Sequence, residues 1–365
     1  MLHTPTSCPV VQNQTELQDL EPLLHVLQQN TLPSEVMQFP KGSLLPIGSL
    51  DLCKQSLGVQ GCERIVEALR SQNVVHTLLL GTNAIGDQGA ARVAELIRYG
   101  HLESVYLGCN LIGAEGVEQI VQALITDQKV KALWLKRNPI GAQGIRHLAH
   151  MLKTNSSLRT LDVVNTSPDH DSILELLEVI AMHPSLEYLY LSGNGLDINE
   201  APVLARCLEH SKLKGLYLSV NHLGDAGARV LAEGLKRNTR LEFLSLASNA
   251  IGNEGINALT EALFDHPNLV SLDLGYSPST KVLGAKANEF GDACFQNVNK
   301  LLQSSQTLQD LNLVPNQFPE DSKLVLLETS KTSKTLKRLL FDDKRSLREV
   351  APTHLDAQRI RSVYR

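Results

Sequence analysis

The amino-acid sequence predicts an α/β solenoid, a horseshoe with a parallel sheet on its concave face and helices on its convex face. A phrase of the form LxxLxLxxN recurs eleven times in 365 residues, at intervals of 27 or 28 residues with one interval of 39. Such units bury their apolar faces only by stacking on their neighbours, so the repeat predicts one elongated domain. The copies begin at Ile47, Val75, Leu102, Val130, Leu158, Leu186, Leu213, Leu241, Leu269, Leu308 and Leu336.

The first half of each copy predicts a short strand. Apolar residues occupy its fourth and sixth positions, as Leu216 and Leu218 do. Alternation with a period of two places these side chains on the core side of the strand. The third, fifth and seventh positions therefore face the concave surface.

The second half of each copy predicts a helix. In the copy that begins at Leu213, Ala228, Leu231 and Leu235 recur at helical spacing, which gives the helix one buried face. Paired glycines before this segment fit a tight entry to the helix and close packing of adjacent copies. Asp and Asn residues near the same point are expected to cap the helix that they begin. They are Asp87, Asp225, Asn253 and Asp292.

An asparagine recurs at the ninth position of most copies. Its side chain both donates and accepts hydrogen bonds, so inside a turn it can satisfy backbone groups that would otherwise be buried without partners. A structural ladder, not catalysis, is therefore the interpretation of this set. It comprises Asn83, Asn110, Asn138, Asn194, Asn221, Asn249 and Asn316.

The repeats divide the chain into three parts. Residues 1–46 are predicted to be an N-terminal helical cap with an amphipathic helix at 15–29, residues 47–345 the eleven repeats, and residues 346–365 a C-terminal cap helix. The longest interval places an insertion near 276–291, which could be a binding loop or a tolerated extension. The copies from Leu158 and Leu186 lose the paired glycines, which indicates either drift in surface loops or a local bend or contact loop.

Composition disfavours several classes of protein. The formal net charge is −5, which disfavours nucleic acid and membrane surfaces as partners. Six cysteines without a CxxC pair argue for a reducing compartment and against a zinc site. The first residues lack a signal-peptide pattern, and no apolar run is long enough to insert into a membrane. A cytoplasmic protein without metal or cofactor is expected.

The concave face carries an unusual share of the aromatic residues. Aromatic residues make up 4% of the chain, yet its one Trp and three of its seven Tyr occupy the fifth strand position. Tyr, Trp and Arg carry many interface hot spots, although aromatic residues also favour strands in general. We therefore predict a stripe that binds a protein partner. Its residues are Tyr106, Trp134, Arg137, Tyr188, Tyr190, Tyr217 and Phe243.

The pattern LxxLxLxxNxIGxxGxxxLxxxL resembles the ribonuclease-inhibitor-like subfamily of leucine-rich repeats, which is also found in Ran GTPase activators, immune receptors and bacterial proteins. Its clearest copy here begins at Leu241 and includes Asn249, Gly252 and Gly255. The resemblance implies the horseshoe fold and, more loosely, protein binding. The copies are of one type and contain few cysteines, so specific inhibition of a ribonuclease is not expected.

No catalytic or metal-binding residues are predicted. His147 and His150 lie three residues apart on a helix, but neither a carboxylate nor a cysteine completes a ligand set. The leading hypothesis is a non-catalytic scaffold or interaction module that binds a protein through the concave face. The alternatives are a GTPase activator of the Ran type, with Arg137 beside Asn138 as its candidate arginine, and the recognition part of an adaptor or bacterial effector.

Overall fold

The computed structural model describes residues 16–341 and 346–347. The chain divides into two compact units, one that ends at Val179 and one that starts at Ile180. The division falls within a helix, His170–Met182, and each unit is considered by itself. In both, a three-residue strand followed by a helix is the repeated element.

Unit 1 contains the first copies of the repeat. Its strands are β1 (Met37–Gln38), β2 (Ser43–Leu45), β3 (Ser49–Asp51), β4 (Thr77–Leu79), β5 (Ser104–Tyr106), β6 (Ala132–Trp134) and β7 (Thr160–Asp162). A 3-10 turn at Leu17–Leu20 precedes its helices, which are α1 (Glu21–Gln28), α2 (Gly58–Leu69), α3 (Gly86–Arg98), α4 (Ala114–Leu124), α5 (Gly141–Leu152) and α6 (His170–Met182).

Unit 2 continues the same alternation. Its strands are β8 (Tyr188–Tyr190), β9 (Gly215–Tyr217), β10 (Phe243–Ser245), β11 (Ser271–Asp273), β12 (Asp310–Asn312), β13 (Arg338–Leu340) and β14 (Ser346–Leu347). Its helices are α7 (Ala201–His210), α8 (Gly224–Leu235), α9 (Asn253–Leu263), α10 (Phe295–Ser304) and α11 (Glu320–Thr332), with a 3-10 turn at Asp292–Cys294.

Equivalent positions of successive repeats lie side by side in each sheet. Strands β3 to β7 pair in parallel, and so do β8 to β13, while β1–β2, β2–β3 and β13–β14 are antiparallel. Val105 pairs with Leu133, and Leu133 with Leu161, and all three side chains are completely buried. This register confirms the α/β solenoid of parallel strands and helices. Each sheet therefore has one face in the core and one face outside it.

The ninth-position asparagines join successive repeats by hydrogen bonds. Asn138 Nδ2 donates to the carbonyl oxygens of Leu107 and Leu135, both at 2.9 Å. Its Oδ1 accepts from the backbone N–H groups of Asn110 at 2.8 Å and Ile112 at 3.1 Å. One side chain thus satisfies four buried backbone groups, as a structural ladder requires. Asn83, Asn110, Asn221 and Asn249 also donate to carbonyls of two repeats.

The 39-residue repeat keeps the ladder through a residue that its spacing does not predict. Its ninth position is Ser277, but the bridging side chain is that of Asn288. Asn288 Nδ2 donates to the carbonyl oxygens of Leu246 at 3.0 Å and Leu274 at 2.9 Å, and its Oδ1 accepts from Asn249 N at 2.8 Å. The insertion therefore lies between the strand and its asparagine, and the stacking of the repeats is unchanged.

Asp87 and Asp225 do not cap the helices that they begin, so that expectation is wrong. Asp87 Oδ1 accepts from the N–H groups of Gly113, at 2.6 Å, and Gly116, at 3.1 Å, at the start of the next helix, α4. Asp225 makes the same pair of bonds, of 2.7 and 2.8 Å, at the start of α9. The cap of one helix therefore comes from the preceding repeat, because parallel stacking places successive helix starts side by side.

Two repeats without paired glycines begin their helices in another way. At α6, Asp169 Oδ1 accepts from Ser172 N at 2.8 Å and Ser172 Oγ donates to the Asp169 carbonyl at 2.9 Å. Before α7, Asp197 N donates to the carboxylate of Glu200 at 2.8 Å. Side-chain bonds of this kind satisfy the free N–H groups of a helix start. These two helices therefore begin without paired glycines.

A second row of capping side chains lies just before several of the strands. In unit 1, Asn155 Oδ1 accepts from Ser157 N at 3.0 Å and Leu158 N at 2.9 Å. The equivalent residue of one repeat in unit 2 is His266, whose Nδ1 accepts from Leu269 N at 3.1 Å. Nδ1 can accept this bond only when it carries no proton.

The structure describes the residues before the first repeat but few of those after the last repeat. Helix α1 and the turn before it contact the first repeat through Arg64, which donates to the carbonyl oxygen of Leu17 at 3.2 Å and pairs with Glu21 at 2.6 Å. This contact supports the proposal that the N-terminal residues cap the repeats. Of the C-terminal cap helix predicted at 346–365, residues 346–347 form strand β14 instead, and the remainder lies outside the described residues.

The described cysteines include both free thiols and a disulfide-bonded residue. Cys53, Cys62, Cys207 and Cys294 are free thiols. Cys109 is disulfide-bonded, so the argument from cysteine usage for a reducing compartment does not hold at this position.

Candidate functional site

In unit 1, the aromatic residues on the sheet face outside the core, which we call the outer sheet face, are not exposed to solvent. Trp134 is 0% exposed and Tyr106 is 1% exposed, although both occupy the fifth strand position. The prediction that these two side chains form an exposed stripe is therefore wrong. Their strand neighbours explain part of the burial, since Tyr106 pairs with Trp134, and Trp134 with Asp162.

Lateral packing fixes the ring of Tyr106. A Cβ built at Gly81 would lie 2.2 Å from its Cε1, and one at Gly108 would lie 2.7 Å from its hydroxyl. The ring thus lies over two backbone positions that have no side chain. The Lys136 amine lies 5.7 Å from the ring centroid, within the range of a cation–π contact.

Burial shifts the pKa values of Lys136 and Tyr106. It lowers the pKa of Lys136 to about 8. The negative charge of Asp162 opposes this decrease, and the positive charge of Arg137 adds to it. Burial also raises the pKa of Tyr106 well above its ordinary value. Arg137, by contrast, is exposed and adopts a φ of +55° in the turn that follows β6. It is the predicted site residue of unit 1 that solvent reaches.

Unit 2 brings four of the predicted site residues together on its outer sheet face. Tyr190 and Tyr217 stack in parallel, with ring centroids 4.1 Å apart. Tyr188 and Phe243 contact each other at a tilt, with centroids 6.5 Å apart. We call these four residues the aromatic platform.

The platform is partly accessible to solvent. Tyr190 and Phe243 are 9% and 8% exposed. Tyr188 and Tyr217 are half-buried. Burial raises the pKa of Tyr217 well above its ordinary value, so its hydroxyl stays protonated and can donate a hydrogen bond.

Gly215 makes the platform possible. A Cβ at this position would lie 2.6 Å from Cδ1 of Tyr188 and 3.0 Å from Cε2 of Tyr217. Both rings therefore pack over the Gly215 backbone at the start of β9. The residue types at the fifth position do not predict this contact, because the glycine occupies the third position.

Next to the platform, the sheet face of unit 2 becomes polar. Ser245 Oγ is 2.6 Å from Ser219 Oγ and donates to Asp273 at 3.2 Å, and Asn312 Nδ2 donates to Asp273 at 2.9 Å. Burial raises the pKa of Asp273, and the neighbouring carboxylate of Asp310 adds to the increase. Asp310 itself forms a bidentate ion pair with Arg338.

The free thiols are poor nucleophiles. Burial raises the pKa of Cys62, Cys207 and Cys294 to about 12, and that of Cys53 still further. Thiolates are therefore scarce near neutral pH. In residues 16–341, no group of three or more His, Cys, Asp or Glu side chains has the arrangement of a metal site. No helix in the part of the chain that the structure describes is long and apolar enough to cross a membrane.

Comparison with known proteins identifies the repeat. A family model described as "Leucine Rich repeat" matches residues 101–121, 209–232 and 237–259. The chain is 29% identical over 314 residues to ribonuclease inhibitor of Sus scrofa, a match that covers 84% of this chain and 67% of that protein.

Other similarities cover shorter segments. The human NACHT, LRR and PYD domains-containing protein 13 is 30% identical over 160 residues, which are 43% of this chain and 14% of that protein. The solved structure "Leiomodin-1 Actin-Binding Site 2 (ABS2)" matches with a TM-score of 0.37 and 18% identity over 44% of this chain and 86% of its own. The repeat pattern, the parallel strand–helix units and the match to ribonuclease inhibitor show that the chain contains leucine-rich repeats similar to those of ribonuclease inhibitor.

Proposed function

We propose that the chain is a non-catalytic interaction module that binds a protein partner through the aromatic platform of unit 2. The observation that supports this most strongly is the packing of aromatic rings over Gly215 on an outer sheet face. Rings held in this way lose little conformational freedom on binding, and tyrosine adds a polar hydroxyl to a large apolar area.

The chemistry of the described residues supports a binding role. The platform borders hydrogen-bonding groups at Ser245 and Asp273, so it offers both apolar area and polar contacts. Protein interfaces typically have such an aromatic centre within a polar rim. The likeness to ribonuclease inhibitor supports the same class of function, since that relative is named for inhibiting a ribonuclease, which is itself a protein.

In this proposal the aromatic residues of unit 1 have a different role. Trp134 and Tyr106 stabilise the sheet from within, and Arg137 is the residue of that unit available for contact. A cytoplasmic location belongs to the same proposal; the four free thiols support it, whereas the disulfide-bonded Cys109 does not.

The test is affinity capture from native lysate with a platform variant, Tyr188→Ala/Tyr217→Ala. We expect the variant to lose the specifically captured protein while its circular dichroism spectrum and melting temperature stay close to those of the parent. Tyr99→Ala is the matched control, because Tyr99 is an exposed tyrosine at the end of α3, away from the sheet. Retention of the partner by the folded platform variant would show that the partner binds elsewhere.

A further inference from the structure

A basic pocket lies where the strands of unit 2 begin. It has a volume of about 370 Å³. Its lining contains three cationic side chains, one carboxylate, and a hydroxyl and an amide that can form hydrogen bonds. These residues are Lys212, Lys214, Thr239, Arg240, Glu242 and Asn268.

The repeat brings these residues together. Lys212, Arg240 and Asn268 each precede the first leucine of successive copies, and β9, β10 and β11 pair in register. Equivalent positions therefore stack along one edge of the sheet. Asn268 Nδ2 donates to the Thr239 carbonyl at 2.6 Å, which holds the amide in the wall of the pocket.

The ion pairs around the pocket leave it positively charged. Lys214 forms an ion pair with Glu187 at 3.4 Å, and both side chains are partly exposed. Outside the lining, Arg237 pairs with Glu209 and Lys236 with Glu233. The exposed cations Lys212 and Arg240 lie outside these pairs and line the pocket with Glu242 as its single carboxylate.

We propose that this pocket binds the phosphate group of a phosphorylated serine or threonine on a protein partner. A phosphate monoester carries a charge of about −1.5 to −2 near neutral pH and has three acceptor oxygens. As a ligand for two cations and a hydrogen-bond donor, it therefore fits better than a single carboxylate group would. Arginine can hold two of these oxygens with parallel hydrogen bonds.

The pocket also has the right position for a partner on the platform. Lys214 directly precedes Gly215, and Glu242 directly precedes Phe243. A segment that lies across the aromatic rings can therefore place one side chain in the pocket. In this respect the inference rests on the proposed function, but the pocket's own affinity can be measured without the platform.

The test uses a short fluorescein-labelled peptide with one phosphoserine flanked by glycines, which lacks side chains for the platform. Fluorescence anisotropy with the full chain at low salt should show binding at least about tenfold tighter than that of the unphosphorylated peptide. Lys212→Ala/Arg240→Ala should abolish this difference. Glu242→Gln should strengthen binding, because it removes the carboxylate from the lining.

Matched variants separate the possible causes. Lys236→Ala/Arg237→Ala removes two cations outside the lining and should leave peptide binding unchanged. Equal binding of the two peptides, or unchanged binding by the Lys212/Arg240 variant, would overturn the proposal. Stronger binding of vesicles that contain phosphoinositides, or competition by inorganic phosphate at the same concentration as the phosphopeptide, would overturn the assignment to a phosphoprotein.

The outcomes also separate this inference from the proposed function. Tyr188→Ala/Tyr217→Ala should still bind the phosphopeptide, although it loses the captured partner. If the Lys212/Arg240 variant captures the partner as well as the parent does and the phosphopeptide does not bind, the platform proposal stands and the phosphate site does not.

Discussion

The sheet faces of the two units carry aromatic side chains at the same strand position in different surroundings. In unit 1, Tyr106 and Trp134 are at most 1% exposed. In unit 2, Tyr217 is half-buried and stacks on Tyr190. A position in a repeat therefore determines the direction of a side chain, but its neighbours along the sheet determine whether solvent reaches it.

The difference can be traced to particular neighbours. Tyr106 lies over Gly81 and Gly108 and under the Lys136 amine, so it is enclosed from several sides. The rings of Tyr188 and Tyr217 share one glycine, Gly215. The first arrangement contributes to stability, whereas the second presents rings at the surface of the sheet.

The strongest effect is expected on the stability of unit 1. Trp134→Ala should lower the free energy of unfolding by about 3–5 kcal/mol, because it leaves a cavity at a fully buried site. Tyr217→Ala, at the same position in unit 2, should cost about 1 kcal/mol. Urea denaturation followed by circular dichroism measures both. Equal costs would remove the distinction between the units.

A larger side chain should have different effects at Gly81 and at Gly215. Gly81→Val should destabilise the protein by about 1–3 kcal/mol, since the ring of Tyr106 is enclosed and cannot move away. Gly215→Val should displace the half-buried ring of Tyr188, with a smaller loss of stability and a loss of partner capture. Thermal melting and the capture assay report the two effects. Full capture by Gly215→Val would contradict the platform.

The caps between repeats should behave alike in the two units. Asp87→Ala and Asp225→Ala each remove two hydrogen bonds to the start of the next helix, so each should cost about 1 kcal/mol. Denaturation midpoints of the two variants check this equality. A large difference would mean that the units differ in their helix layers as well as on their sheet faces.

The weakest effect is a dependence on pH that His266 confers and Asn155 does not. Burial lowers the pKa of His266, whereas Asn155 fills the equivalent position in unit 1 without titrating. As the pH falls, the unfolded chain takes up the proton first, so this contribution is full above about pH 6.5 and is lost below it. His266→Asn should reduce the fall in denaturation midpoint between pH 7.5 and pH 5.5. An unchanged fall would assign it to other groups.

The sequence predicts those features that depend on one repeat alone. Period-two alternation places Leu133 and Leu135 in the core, and an amide at the ninth position suits the buried turn at Asn138. Several side-chain contacts between neighbouring repeats are missed. The reach of Asp87 into the next helix and the enclosure of Tyr106 are of this second kind, because neither can be inferred from spacing within a copy.

The insertion shows the same limit. A count from Leu269 reaches Ser277, yet Asn288 makes the bonds of the ladder. The residue could have been found by its type, because Asn288 is the one asparagine or glutamine between residues 276 and 291. Its spacing from the strand gives no such indication, because the inserted residues separate the two.

Hydroxyl-radical footprinting of the chain, with and without its captured partner, tests directly whether the partner covers the platform. We expect oxidation of Tyr188 and Tyr217 to fall when the partner binds, while the exposed Tyr99 stays equally reactive and the buried Trp134 stays unreactive in both states. Unchanged oxidation of Tyr188 and Tyr217 in the complex would contradict binding through the platform.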